Sequence, residues 1–236
     1  MSIDSKIAPH EGGKSTNVTP RAASQARKMR ITSAGLIRRA GLPAMIAGII
    51  FIGIQPIHPP DALASVTTTA WVIIQSLKFT MCLLGLAGVT GLYARQVEAV
   101  GWPGLVGYLL FSLFYALTAS FVFAEAFILP LLATAAPQFV EGYLGIITSA
   151  PAEISLGVLP VLFALSGAGY MLGSLLFGIA TFRAGILPRG AAALLACSGP
   201  LAILAVQLLG HPLDRLGAAP MGIALIWLGY SLWSER

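Results

Sequence analysis

Charge is the first thing this sequence lacks. Its 236 residues include 14 Lys and Arg and 9 Asp and Glu, or 10% charged, against 57% hydrophobic. Mean hydropathy is +0.85. A soluble domain carries roughly 25% charged residues, and a water-facing surface for a chain of this length needs more of them than are present. A water-soluble globule is excluded, and the bilayer becomes the solvent. In lipid each backbone polar group must be satisfied inside the chain, which leaves helices or a closed barrel. The apolar runs are about 20 residues long and do not alternate, which selects helices.

Cysteine and histidine are scarce too. Cys82 and Cys197 both lie in apolar runs, so a disulfide framework is excluded and each reads as a small buried apolar side chain. None of the three histidines lies deep in a span, which argues against a bis-histidine haem inside a bundle. The phosphate-cradling G-x-x-x-x-G-K-[ST] loop, the H-E-x-x-H zinc pair and the G-x-S-x-G nucleophile elbow are all missing. No cofactor is implied. The net charge of +5 does not point to nucleic acid, because most basic residues flank apolar runs.

What is present is an ordered series of apolar segments. The expectation is an all-α, polytopic transmembrane helical bundle with six spans near residues 42–57, 70–93, 103–132, 156–182, 191–209 and 218–233. Residues 1–39 read as a basic N-terminal segment, disordered or loosely attached, and 40–236 as the transmembrane domain. Arg38-Arg39, an apolar stretch and Ala62-Leu63-Ala64 mimic a cleavable twin-arginine signal, but the intervening Pro59-Pro60 disfavours cleavage, so the first span is expected to be retained. With the N-terminus inside, the inner segments hold twelve Lys or Arg, from Lys6 to Arg236, and the outer loops hold only Arg215. This positive-inside bias puts both termini in the cytoplasm. The segment Arg21–Arg39 holds six basic residues and no acid. It serves as a topology signal and, at a membrane surface, as a patch for anionic lipid.

Three sets of residues are candidates for a role. Lys78 and Glu125 sit within the second and third spans, where an unpaired charge costs roughly 2.5–3.5 kcal/mol. Side chains lean toward their helix N-terminus, so in antiparallel neighbours these two heads lean toward each other. An ion pair is expected in the outer half, with Gln75 on the same face as Lys78 and Thr118 and Ser120 lining the facing side. Two readings compete: a clamp between helices, and a proton, ion or substrate path. The second set is the H-P-x-D repeat, His58-Pro-Pro-Asp61 and His211-Pro-Leu-Asp214, in two outer loops. It reads as a span terminator, with a metal site of two His and two Asp as the remote alternative. The third is Gly169-x-x-x-Gly173, a close-packing pattern for helices within the chain or between two copies. Gly85, Gly88 and Gly91 read the same way. Trp71, Trp102, Trp227, Trp233, Tyr93 and Tyr230 suit an interfacial belt, and residues 139–147 a short interfacial helix.

The stretches Gly91-Leu-Tyr-Ala-Arg-Gln96, Glu125-Ala-Phe-Ile-Leu-Pro130 and Ala184-Gly-Ile-Leu-Pro-Arg189, with the six-span layout, resemble a group of small uncharacterised bacterial membrane proteins. That resemblance implies a fold and a bacterial inner-membrane location; it implies no catalytic residue. The function favoured by sequence alone is a non-catalytic accessory or scaffold subunit, with a protein partner or a second copy. A small transporter using Lys78, Glu125 and Gln75 is the main alternative, and a metal-dependent membrane enzyme using the outer His and Asp residues is the third.

Overall fold

Proline, glycine and the length of each apolar run decide where the helices of this chain start and stop. The computed structural model describes residues 32–148, 150–209 and 213–234, and among these there are helices and no strands. Residues 1–31, which carry most of the basic Arg21–Arg39 segment, lie outside the described residues, as do His211 and Arg236.

Helix α1, Ser33–Arg39, runs into α2, Gly41–Gly53, and a 3-10 turn at Gln55–Ile57 closes the stretch where Pro56 enters. Apolar helix therefore covers Ser33–Ile57, 25 residues. The sequence reading began the first span near residue 42, with room to borrow from its flank, and the helix starts at Ser33. The packing explains the difference, because the Arg38 Nε–H donates to the Trp233 carbonyl at 2.8 Å and Ala40 seats against Gly91. A short α3, Leu63–Val66, precedes the long α4, Thr69–Phe123. A π-helical segment, Ala124–Ile128, leads into α5, Leu129–Leu132. Then follow α6, Pro137–Thr148; α7, Leu159–Ala184; α8, Arg189–Leu208; a 3-10 segment, Leu213–Ala218; and α9, Ala219–Ser234.

Among the described residues, five helical stretches are long and apolar enough to cross a membrane, and the second, Thr69–Leu132, spans 64 residues. A straight helix of that length would reach about 96 Å at 1.5 Å per residue, three bilayer cores thick. It is not straight. Gln96 (φ −128°, ψ 16°) and Gly101 (φ 57°, ψ −160°) leave the helical region. Gly101 takes a left-handed φ that side chains resist, and Pro103 then fits the first turn of the second arm. The two arms run antiparallel. Trp71 meets Glu125 at one end, Tyr115 rests on Gly85 in the middle, and Tyr93 stacks on Tyr108 at the other, with centroids 4.4 Å apart.

Small residues set the helix spacing. Cβ atoms at Gly173 and Gly169 would lie 2.5 Å from the Phe111 nitrogen and 2.8 Å from the Leu110 carbonyl oxygen, so α7 packs backbone-close on the second arm of α4. The Gly169–Gly173 face is thus used inside the chain. The first and last long helices are joined by a glycine set the sequence reading did not single out. Gly41 and Gly48 meet Gly229 and Gly222, seven residues apart on each helix, the close approach that lipid-embedded helices use in place of a hydrophobic drive. Outward faces carry Ile49, Leu83, Leu109, Leu172, Ile203 and Val206, all exposed. Such a girdle is stable only in a non-aqueous solvent, as in a multi-pass membrane protein.

Candidate functional site

Proline at position 130 shapes the neighbourhood of Glu125. In an α-helix the Glu125 carbonyl would accept from residue 129 and in a π-helix from residue 130. The Leu129 N–H is spent on the Ala124 carbonyl, and Pro130 has no N–H to give. The orphaned carbonyl finds the Trp71 indole instead, whose Nε1–H donates to it at 2.8 Å. The π turn also sets Glu125 inward, where it is 2% exposed. Trp71 is fully buried, which corrects its placement in an interfacial belt. Trp102 is 79% exposed. Tyr143 of α6 braces the same turn by donating its hydroxyl to the Phe121 carbonyl at 2.9 Å. Burial holds its phenol above the ordinary range, so it stays a donor.

The Lys78 ammonium lies 3.3 Å from the Glu125 Oε2 and 3.3 Å from the His58 Nε2. Lys78 is 19% exposed at its side chain. Sequence reasoning had paired Lys78 with Glu125 but left His58 in a loop as a helix stop. The structure turns its ring inward, edge-on to Trp71 at 6.2 Å. Its tautomer is forced. The Nδ1 lies 2.7 Å from the Pro59 carbonyl oxygen, and a carbonyl only accepts, so Nδ1 carries the proton and Nε2 offers a lone pair to Lys78. Burial, then the Lys78 charge, hold the imidazole below its ordinary pKa; Asp61 pulls the other way. The neutral ring is thus the form the fold favours.

Arg215 fixes this arrangement from the far end of the chain. Its Nη1 donates to the carbonyls of His58 at 2.9 Å and Gln55 at 3.3 Å. Arg215, read from sequence as an outer-loop exception to the charge bias, lies in the 3-10 segment Leu213–Ala218 and is a clasp on the last turn before His58. A cavity of about 600 Å³ opens beside it, lined by Ile52, Gln55, Pro56, His58, Leu213, Arg215 and Leu216 among others.

The remaining candidates separate. Gln75 is fully buried, and neither its amide nitrogen nor its oxygen has a partner among the described residues. Thr118 turns away to Ser166 of α7 at 2.9 Å. Ser120 is exposed and bonds the Ala116 carbonyl at 3.0 Å. The polar patch expected from Thr118 and Ser120 is replaced by His58. Asp61 lies near His58, close enough to act on its charge. His211 and the Asp214 side chain fall outside the described residues, so the four-ligand metal reading extends beyond them. Among the described residues no group of three His, Cys, Asp or Glu could hold a metal ion. Both His58 ring nitrogens are engaged, one against an ammonium. Cys82 is buried as expected, while Cys197 is exposed, on the outer face of α8. No family model, no curated protein and no solved structure matches this chain.

Proposed function

We propose that the chain is a bacterial inner-membrane protein that crosses the bilayer six times with both termini in the cytoplasm, and that its His58–Lys78–Glu125 cluster handles protons or small cations. The break at Gln96 and Gly101 supports counting the 64-residue stretch as two crossings, and the distribution of Lys and Arg supports the orientation. One observation carries the function: Lys78 is shared between a buried carboxylate and an imidazole that borders a cavity. A helix clamp needs only the ion pair. A third titratable group, held in one tautomer with its lone pair on the ammonium, supplies a route by which a proton reaches the pair from the cavity. Intramembrane ionisable groups of this kind serve ion and proton relays.

The test is ion flux into proteoliposomes holding a pH-sensitive dye. Under an imposed potential, vesicles with the wild-type chain change internal pH faster than empty vesicles, and Glu125→Gln slows them at least tenfold with insertion unchanged. Wild-type vesicles no faster than empty ones, for protons, sodium and potassium alike, would refute this reading. The accessory or scaffold reading would then stand. It draws on a different observation, the backbone-close glycine contacts between α2 and α9 and between α4 and α7, which make the bundle a rigid platform for a partner.

A further inference from the structure

Among the described residues, the buried side-chain atoms without a hydrogen-bond partner are the Gln75 amide nitrogen and oxygen, the Gln96 Oε1, the Ser112 Oγ and the Tyr115 hydroxyl, and all belong to α4. Gln96 sits at the turn and already bonds Thr181. The other three residues lie on the two arms, at levels that follow one another. Gln75, Lys78, Cys82 and Gly85 come at i, i+3, i+7 and i+10, one stripe of the first arm. Tyr108, Ser112 and Tyr115 come at i, i+4 and i+7, one stripe of the second. Two contacts aim these stripes at each other: the Tyr115 ring fills the space a Gly85 side chain would take, and Tyr108 stacks on Tyr93. Cys82 is buried between them, within electrostatic reach of Lys78 and Glu125 on one side and of Tyr115 on the other. At the far end the Tyr108 hydroxyl meets the exposed Thr90 hydroxyl at 3.2 Å.

Buried polar groups in folded chains are nearly always satisfied, by protein or by ordered water. The free groups here say which. Gln75 leaves both an N–H donor and a carbonyl acceptor unused, and only a molecule that donates and accepts serves both. A bare cation meets the carbonyl but is repelled by the N–H, and Glu125, the buried acid beside the seam, is already held by Lys78. Successive levels are three or four residues apart, about 4.5–6 Å at 1.5 Å per residue. One bridging water spans about 5.6 Å, twice an O–H···O distance of about 2.8 Å. We propose that a file of water occupies the seam between the two arms of α4, from Gln75 and the Lys78–Glu125 pair past Tyr115 and Ser112 to Tyr108 and Thr90. Water chains pass protons by exchanging hydrogen bonds, so the file is the second half of the route that enters from the cavity at His58, and it selects protons over metal cations. That role rests on the ion-handling reading above; the presence of the water does not.

The experiment is hydroxyl-radical labelling of the full chain in nanodiscs, by X-ray pulses in oxygen-18 water, with oxidised peptides read by mass spectrometry. Radicals formed from water inside a protein mark the side chains beside it. Tyr115 and Phe177 are both fully buried aromatic residues, and Phe177 lies on α7, outside the seam. Tyr115 takes up label at least tenfold faster than Phe177. Tyr115→Phe lowers the midpoint of thermal unfolding, because the file loses a partner; in a dry seam the same change removes an unpaired hydroxyl and raises it. In proteoliposomes Ser112→Val, which leaves His58, Lys78 and Glu125 in place, slows proton entry at least fivefold. Labelled Tyr115 in a chain that moves no ions supports the water and sinks only the ion-handling reading. Tyr115 labelled no faster than Phe177, or a Tyr115→Phe variant more stable than the wild type, overturns the file whether or not protons flow.

Discussion

Removing the two partners of the intramembrane ion pair one at a time has unequal consequences, and the structure says which is worse. The charges are 3.3 Å apart, an attraction of about 5 kcal/mol at an effective dielectric constant near 20. Glu125 is 2% exposed, whereas the Lys78 side chain is 19% exposed and keeps a second partner in His58. Glu125→Gln leaves an ammonium that leans to His58 and the bundle edge, while the amide recovers about 1 kcal/mol of hydrogen bonding and no carboxylate remains to desolvate. A net loss of about 1–2 kcal/mol is expected. Lys78→Met strands the carboxylate, where breaking a buried pair costs about 3–5 kcal/mol. Protonation limits that cost. From an ordinary glutamate pKa of about 4.3, neutralising the carboxyl at pH 7 takes about 3.7 kcal/mol, and at pH 5 about 1 kcal/mol. Lys78→Met therefore costs more than Glu125→Gln at pH 7, and the gap closes by pH 5. The double variant recovers part of the Lys78→Met loss at pH 7. Reversible unfolding in mixed micelles, read as stability against detergent composition at both pH values, supplies all four numbers. Equal single losses at pH 7, or a Lys78→Met loss independent of pH, would refute the reasoning.

Three further outcomes follow from particular contacts. Gly173→Ala brings a methyl group to within 2.5 Å of the Phe111 nitrogen and 2.7 Å of its Cα, contacts that no rotamer relieves, so α7 must shift at a cost of about 1–3 kcal/mol; Gly167→Ala, with nothing within 4 Å, is neutral or better, and thermal unfolding in detergent compares them. His58 has its pKa lowered by burial, so the unfolded chain binds the proton more readily; its contribution to stability is complete above the ordinary histidine range and is lost as pH falls through that range toward the folded value. His58→Gln removes this acid-side slope, which unfolding at pH 7 and pH 5 measures. Gln96 donates its Nε2–H to the Thr181 hydroxyl at 2.8 Å in a buried setting; the Gln96→Leu and Thr181→Val cycle returns a coupling of about 0.6 kcal/mol, the usual size inside a membrane bundle, and a coupling of zero rejects the bond.

Hydropathy alone determined that this chain is a helical bundle built for lipid, because a run of about 20 apolar residues has few other stable states. It also marked Lys78 and Glu125, since a charge inside such a run is rare enough to stand out. The start of the third span at Pro103 was legible as well, because proline suits a first helical turn and that preference is local. The π turn was within reach of sequence too, for Pro130 lies five residues after Glu125 and withholds the N–H that a regular π turn would need. Other features depended on pairs of residues far apart in the chain. Nothing near residue 58 in sequence says that its ring meets Lys78, or that Arg215 clasps its carbonyl across 157 positions. The same holds for Trp71, which by composition belonged at an interface and by packing lies buried against the Glu125 carbonyl. Solvent preference is a property of a segment and is written in its composition. The partner of a polar atom is decided by which helices pack together, and here that was set by small residues such as Gly41, Gly48, Gly222 and Gly229, whose missing side chains mark where two helices touch only once both are in place.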